Sequence, residues 1–200
     1  MKKLPVPYLD QSGQAPTGCE SVSAVMLLRY LGYDVTIGGF LDAALDKGVW
    51  EQRGGEWWGS DPRVAFVGDP RDPEALGCYA PVMVKALNRV AGDVYTAVDE
   101  TGAEIDELCR RYIDQDMPVL LWCSINMRPT VNGPWYRLVP GGEPFMWVSN
   151  EHCLLLVGYD EENYICNDPW DNNGVVSYPR RTVWQRHREQ GMQAVGLRKK

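Results

Sequence analysis

Gly18-Cys19-Glu20-Ser21-Val22-Ser23-Ala24-Val25-Met26-Leu27-Leu28-Arg29-Tyr30-Leu31-Gly32 is the stretch on which the fold turns. Ala24, Leu27, Leu28 and Leu31 recur at helical spacing, and Val22, Val25 and Met26 widen the stripe until most of the helix must face inward. Gly32 supplies a C-terminal stop. The run Gln14-Ala15-Pro16-Thr17-Gly18 forms the turn ahead of it, so Cys19 opens the helix. A thiol there faces unpaired backbone N–H groups and the positive end of the helix dipole. Such a site can lower a cysteine pKa from about 8.5 to roughly 3.5–7.5. Position alone makes Cys19 a candidate nucleophile, against the plainer reading of a small buried hydrophobe.

Outward from this helix the chain divides into two halves of different period. Gly39–Lys47, Tyr79–Val90 and Glu104–Asp114 read as further helices. Between them lies the Trp-, Gly- and Pro-rich stretch Val49–Gly77, with Trp50, Trp57 and Trp58. A connection this long is usually functional or disordered, and its aromatics predict an ordered excursion bordering the cleft. From Pro118 the pattern changes to short apolar or alternating runs: Val119–Ile125, Cys153–Tyr159, Tyr164–Asn167 and Val175–Tyr178. Asp160–Asn163 reads as the turn between the second and third of these. Thr182–Gln190 reads as a late helix and Met192–Leu197 as a final strand. Helices first and mostly antiparallel strands later predict an α+β fold.

Two hundred residues with 44% hydrophobic content suit one domain with a real core. Eight Trp and ten Tyr point to an aromatic-rich interior. Twenty basic against 27 acidic residues give a net charge of −7, so no nucleic-acid partner is expected. No stretch has the apolar length of a transmembrane helix, and Met1-Lys2-Lys3 leads into Leu4-Pro5-Val6-Pro7 rather than a signal-peptide core. As it stands the chain is expected to be soluble and cytoplasmic, or exported if it is the trimmed form of a longer precursor. Cysteines 19, 78, 109, 123, 153 and 166 contain no C-x-x-C pair, so neither a structural metal nor a cofactor is expected. Cys123, Cys153 and Cys166 read as reduced core residues.

A thiolate nucleophile needs a base and a group to orient that base. His187 sits between Arg186 and Arg188 and reads as a surface residue; His152 opens the apolar strand that follows it. Folding the two strands about the 160–163 turn brings His152 near Asp168, with strand twist or a bulge closing the gap. Asn167, one residue away and on the opposite face, is the rival orienter. The Cys19 N–H can serve a developing oxyanion, with the Gln11 side chain as second donor and Gln14 as its alternative.

These residues resemble a known family. Leu4–Gln11, Pro16–Glu20 and Leu27–Gly32 look like the start of a C39-like, bacteriocin-processing-type cysteine peptidase. Glu151–Asp160 with Asn167-Asp168-Pro169 look like its second half, and Phe66–Pro70 with Gly77–Pro81 resemble the YvpB-like branch. The resemblance spans nearly the whole chain, residues 1–200, as a single peptidase domain. It implies a papain-like fold and a peptide or protein substrate. It assigns Cys19 as nucleophile, His152 as base, Asp168 as orienter and Gln11 as oxyanion donor. Two other functions are compatible with the same sequence: acyl transfer of the transglutaminase type by the same triad, and peptide or glycan binding without catalysis.

Overall fold

A computed structural model describes all residues 1–200. Strand β1 (Lys2–Lys3) leads through an extended segment to helix α1 (Cys19–Tyr30), followed by α2 (Ile37–Ala43). Strands β2 (Trp50–Arg53) and β3 (Glu56–Ser60) form a hairpin, then come α3 (Ala80–Ala91), β4 (Tyr95–Asp99), α4 (Ile105–Arg111) and β5 (Val119–Ser124). A second hairpin, β6 (Asn132–Val139) and β7 (Pro144–Val148), precedes β8 (Glu151–Tyr159) and β9 (Asn163–Asp168). The chain closes with β10 (Gly174–Pro179), α5 (Arg180–Glu189) and β11 (Ala194–Lys199).

The larger sheet runs β10-β9-β8-β5-β11-β4 and is antiparallel throughout, with β1 added to the end of β8. Its centre is β5 and β8, whose apolar runs are buried on both faces. Helix α1 packs against β8, and α5 packs against β5. Every residue of α1 from Cys19 to Leu28 is buried, which explains why its sequence is apolar nearly all round. Gly158 marks the point where β1 crosses β8: a Cβ there would sit 2.3 Å from the Lys2 carbonyl oxygen.

The smaller sheet runs β2-β3-β6-β7 and takes up the Trp-rich stretch together with residues 132–148, whose strands sequence patterning missed. Trp50 and Trp57 stack at 4.4 Å, and Trp50 meets Tyr136 edge-on at 5.4 Å. They belong to a satellite cluster built on Val67, Tyr136 and Trp147, apart from the main core of 48 residues. No helix is long and apolar enough to cross a membrane.

Candidate active site

Gly18 ends the turn and α1 begins on Cys19, which places the thiol at the helix start as its sequence position predicts. Beside it lies β8. The Cys153 backbone N–H donates to Cys19 Sγ at 3.3 Å, so the strand residue next to His152 touches the sulfur directly. Cys19, His152, Gln11, Glu151 and Trp170 line one cleft of about 350 Å³. A slightly larger cavity of about 410 Å³, bordered by Arg63, Tyr79, Asp99 and Gln190, holds none of these groups. Chemistry rather than size therefore locates the site.

His152 and Asp168 are both fully buried, and His152 Nε2 lies 2.7 Å from Asp168 Oδ1. That bond leaves Nδ1 for another partner. Trp170 stands edge-on to the imidazole at 6.1 Å. The Asp168 carboxylate is held from four sides: by His152, by the Trp170 N–H at 3.1 Å, by the Tyr178 hydroxyl at 2.6 Å and by the Asn173 amide at 3.1 Å. Burial alone would push its pKa up, but the hydrogen bonds from His152, Tyr178 and Trp170 outweigh burial and hold it at about 2.

Asn167 points the other way, its amide donating to the Val6 carbonyl at 3.3 Å. A β-bulge decides between the two. Near the turn, Tyr159 pairs with Tyr164 and Gly158 with Ile165; beyond the irregularity, Leu156 pairs with Cys166 and Leu155 with Asn167. Val157 is the extra residue. Had the first register continued, Leu156 would face Asn167, and Asn167 would share the face of His152. The bulge gives that face to Asp168.

Gln11 is buried beside Cys19, its main chain tied to the Pro169 carbonyl at 3.0 Å. Its Nε2 donates to the Pro16 carbonyl at 2.6 Å, and an amide nitrogen has a second hydrogen to offer. Gln14 is exposed and absent from the cleft.

Three expectations need correction. The Cys19 thiol is not lowered: burial pushes its pKa well up, and the neighbouring Glu20 and Glu151 carboxyls add to the rise. The helix start is real, but desolvation of the charged form outweighs it. His187 is not on the surface. Val183 and His187, four residues apart, form the inward face of α5, and His187 Nδ1 sits 3.0 Å from the Trp122 carbonyl oxygen. Burial depresses its pKa. Finally, the tryptophans of the 49–77 stretch do not line the Cys19 cleft; Pro73 and Ala75 from its far end do. All six cysteines are free and buried.

Sequence reasoning missed Glu20 and Glu151. Both are buried at the sulfur, and the nearest ligand atoms of Cys19, Glu20 and Glu151 lie within 4.8 Å of one another. The available signal was an acidic residue inside each of two otherwise apolar elements. Tyr178 and Asn173 were missed as well, because nothing local distinguishes them.

The sequence pattern of the Peptidase_C39 like family matches residues 3–195. The uncharacterized protein YvpB of Bacillus subtilis is 28% identical over 182 residues, which is 91% of this chain and 69% of that protein. Among solved structures, a Bacillus anthracis protein assigned as a C39-like peptidase superposes with a TM-score of 0.84 at 25% identity, covering 100% of this chain and 98% of its own. A double glycine motif protease from an AMS/PCAT transporter, in complex with the leader peptide, has a TM-score of 0.54 at 14% identity, covering 100% of this chain and 95% of its own. The peptidase domain of Streptococcus ComA is similar at 0.53 and 14%, covering 98% of each chain. At that identity these last two share the fold.

Proposed function

The chain belongs to the Peptidase C39-like family, and from that premise we propose that it is a cysteine peptidase hydrolysing peptide bonds. The observation that supports this most is the single cleft holding Cys19, His152 and Gln11, with His152 bonded to Asp168 behind it.

Cys19 is the nucleophile. His152 takes its proton through Nδ1 while Asp168 on Nε2 keeps the ring in one tautomer and stabilises the imidazolium. The Cys19 sulfur adds to the scissile carbonyl. The Cys19 N–H and the free N–H of Gln11 donate to the oxygen as it becomes negative. The C–N bond breaks and the amine leaves with the proton from His152. Water then adds to the thioester carbon, returns a proton through His152 and releases the acid, restoring the thiol. Because the buried thiol starts neutral, thiolate forms together with imidazolium, at the moment substrate excludes water from the cleft.

Mass-spectrometric labelling with iodoacetamide, followed by a peptide-library digest, tests the reading. Cys19 is the cysteine that lines the cleft, so iodoacetamide labelling of Cys19 should stop cleavage, and Cys19→Ala should abolish it without unfolding the chain. New free carboxyl termini mark hydrolysis; amide or thioester products in the presence of added amines or thiols would instead mark acyl transfer. Cleavage that survives complete labelling of Cys19, or survives Cys19→Ala, would remove Cys19 as nucleophile.

A further inference from the structure

Beneath the Cys19 sulfur lie two carboxyl groups to which the triad gives no task. Glu20, the next residue of α1, is fully buried; Glu151, the first residue of β8, is 7% exposed. Glu20 Oε2 is the acceptor for the Cys19 thiol at 3.4 Å, and Glu20 Oε1 accepts the Cys78 N–H at 2.6 Å. Glu151 Oε1 has no hydrogen-bond partner. Gly77 closes the pair from the other side: a Cβ there would lie 2.7 Å from Glu20 Oε1 and 3.1 Å from Glu151 Oε2. The chain thus keeps a glycine where any side chain would press on both carboxyls.

Two buried carboxylates at this separation cannot both be charged without large cost. The titratable groups facing them are Cys19 on α1, His152 and Cys153 on β8, and Cys78 and Tyr79 from the loop before α3. Of these only His152 can turn cationic, and it is already committed to Asp168. No lysine or arginine bonds to either carboxyl. One proton therefore stays on the pair, and the remaining charge sits beside the sulfur.

We propose that Glu20 and Glu151 form a proton-holding carboxyl pair that keeps the resting Cys19 thiol neutral, with Glu20 as the positioning residue that accepts its S–H. The assignment rests on Cys19 being the nucleophile of the proposed peptidase. The proton balance is simple. At rest the S–H donates to ionised Glu20, Glu151 carries the pair's proton, and neither Glu takes the thiol proton away. On substrate binding that proton goes to His152, as above. The consequence is a nucleophile that resists adventitious oxidation and alkylation, since thiolate is the reactive form. Burial raises the pKa of both carboxyls, and the neighbouring Glu20 charge raises that of Glu151 further.

The test is the rate of Cys19 alkylation by iodoacetamide against pH, read residue by residue in the mass spectrometer. Glu20→Gln is the informative variant, because glutamine Oε1 can still accept the Cys78 N–H while the charge and the S–H acceptor are gone. Its midpoint should fall by at least one pH unit. A one-unit fall raises the thiolate fraction about tenfold, and the lower intrinsic nucleophilicity leaves about threefold in rate. An unchanged profile would reduce Glu20 to a cap for Cys78; a slower one would make it a base. The wild type gives a second reading that needs no variant. Its Cys19 midpoint should lie above the ordinary thiol value of about 8.5, and its infrared spectrum at neutral pH should show a buried neutral carboxyl band that Glu151→Gln removes. A midpoint below that value, or no such band, overturns the pair. If instead no peptide is cleaved under any condition, the peptidase reading fails while these measurements still report on the carboxyls.

Discussion

Tyr178 and Gln11 are the side chains whose tasks separate most cleanly by experiment. The Tyr178 hydroxyl donates to Asp168 at 2.6 Å, a bond to a charged group worth roughly 1.5–3 kcal/mol. Asp168 is held at about 2 in the folded chain, against about 3.9 unfolded. A depressed acid contributes stability that is full above the unfolded value and lost as pH falls through the folded one. Tyr178→Phe should therefore lower unfolding free energy in urea by about that amount at pH 7 and by little near pH 2. An equal loss at both values would mean that Tyr178 acts by packing. Gln11→Ala should cut kcat by about 10²–10³, the cost of one oxyanion donor, with KM within a few-fold. Alkylation of Cys19 builds no oxyanion and should survive. If Gln11 only braces the turn through Pro16, stability falls and kcat does not.

The β8–β9 hairpin shows how a strand irregularity chooses the carboxylate that meets His152. With Val157 bulged, Asp168 shares the face of His152 and Asn167 faces Val6 and Met26. Asp168→Asn removes the negative charge behind the imidazole and should lower kcat by up to roughly 10⁴, the loss seen when a triad carboxylate is so replaced. Asn167→Ala should cost about 1–2 kcal/mol from one buried hydrogen bond and leave kcat within a few-fold. The reverse pattern in paired kinetic and melting measurements would place the bulge elsewhere. Helix α5 carries a related lesson. Four arginines and a histidine in its sequence suggest a solvated helix, yet Val183 and His187 form a buried face between them. Charge count along a helix says less about one residue than its position four away from a buried neighbour.

Two sheets share the work of the molecule unequally. The larger carries His152 and Asp168 and packs against the helix of Cys19; the smaller gathers Trp50, Trp57 and Trp147 into their own cluster. Trp57→Ala should then cost about 1–3 kcal/mol from lost burial and stacking on Trp50, with kinetics unchanged. A shift in peptide preference without loss of stability would return Trp57 to the cleft. The buried acids also oppose one another in the pH dependence of the whole chain. Asp168 and Glu100, both lowered, lose their contribution in acid. Glu20 and Glu151, both raised, have theirs fully present below the unfolded carboxylate value and lose it as pH rises toward and beyond neutrality. Thermal unfolding should show maximal stability on the acid side of neutral, and the Glu20→Gln, Glu151→Gln double variant should move that maximum upward. A maximum that stays in place would show that the pair does not titrate in this range.

Local pattern was enough for much of this protein. Apolar spacing in residues 22–31, alternation after Pro118 and the turn at 160–163 each depend on near neighbours, so helix α1 and strands β5, β8 and β9 could be read directly. The motif blocks around Cys19 and His152 carried the family resemblance for the same reason. Other features depend on what arrives from far along the chain. The strands at 132–148 pair with each other and with the edge of the 50–60 hairpin, a partner about 80 positions away. A one-residue register shift at Val157 separates Asp168 from Asn167, and no composition encodes it. The direction of the Cys19 pKa followed from desolvation and two carboxyls, one of them 132 positions away at Glu151, rather than from the helix end. Periodicity is a property of adjacent residues; burial, register and charge proximity are properties of the packed chain.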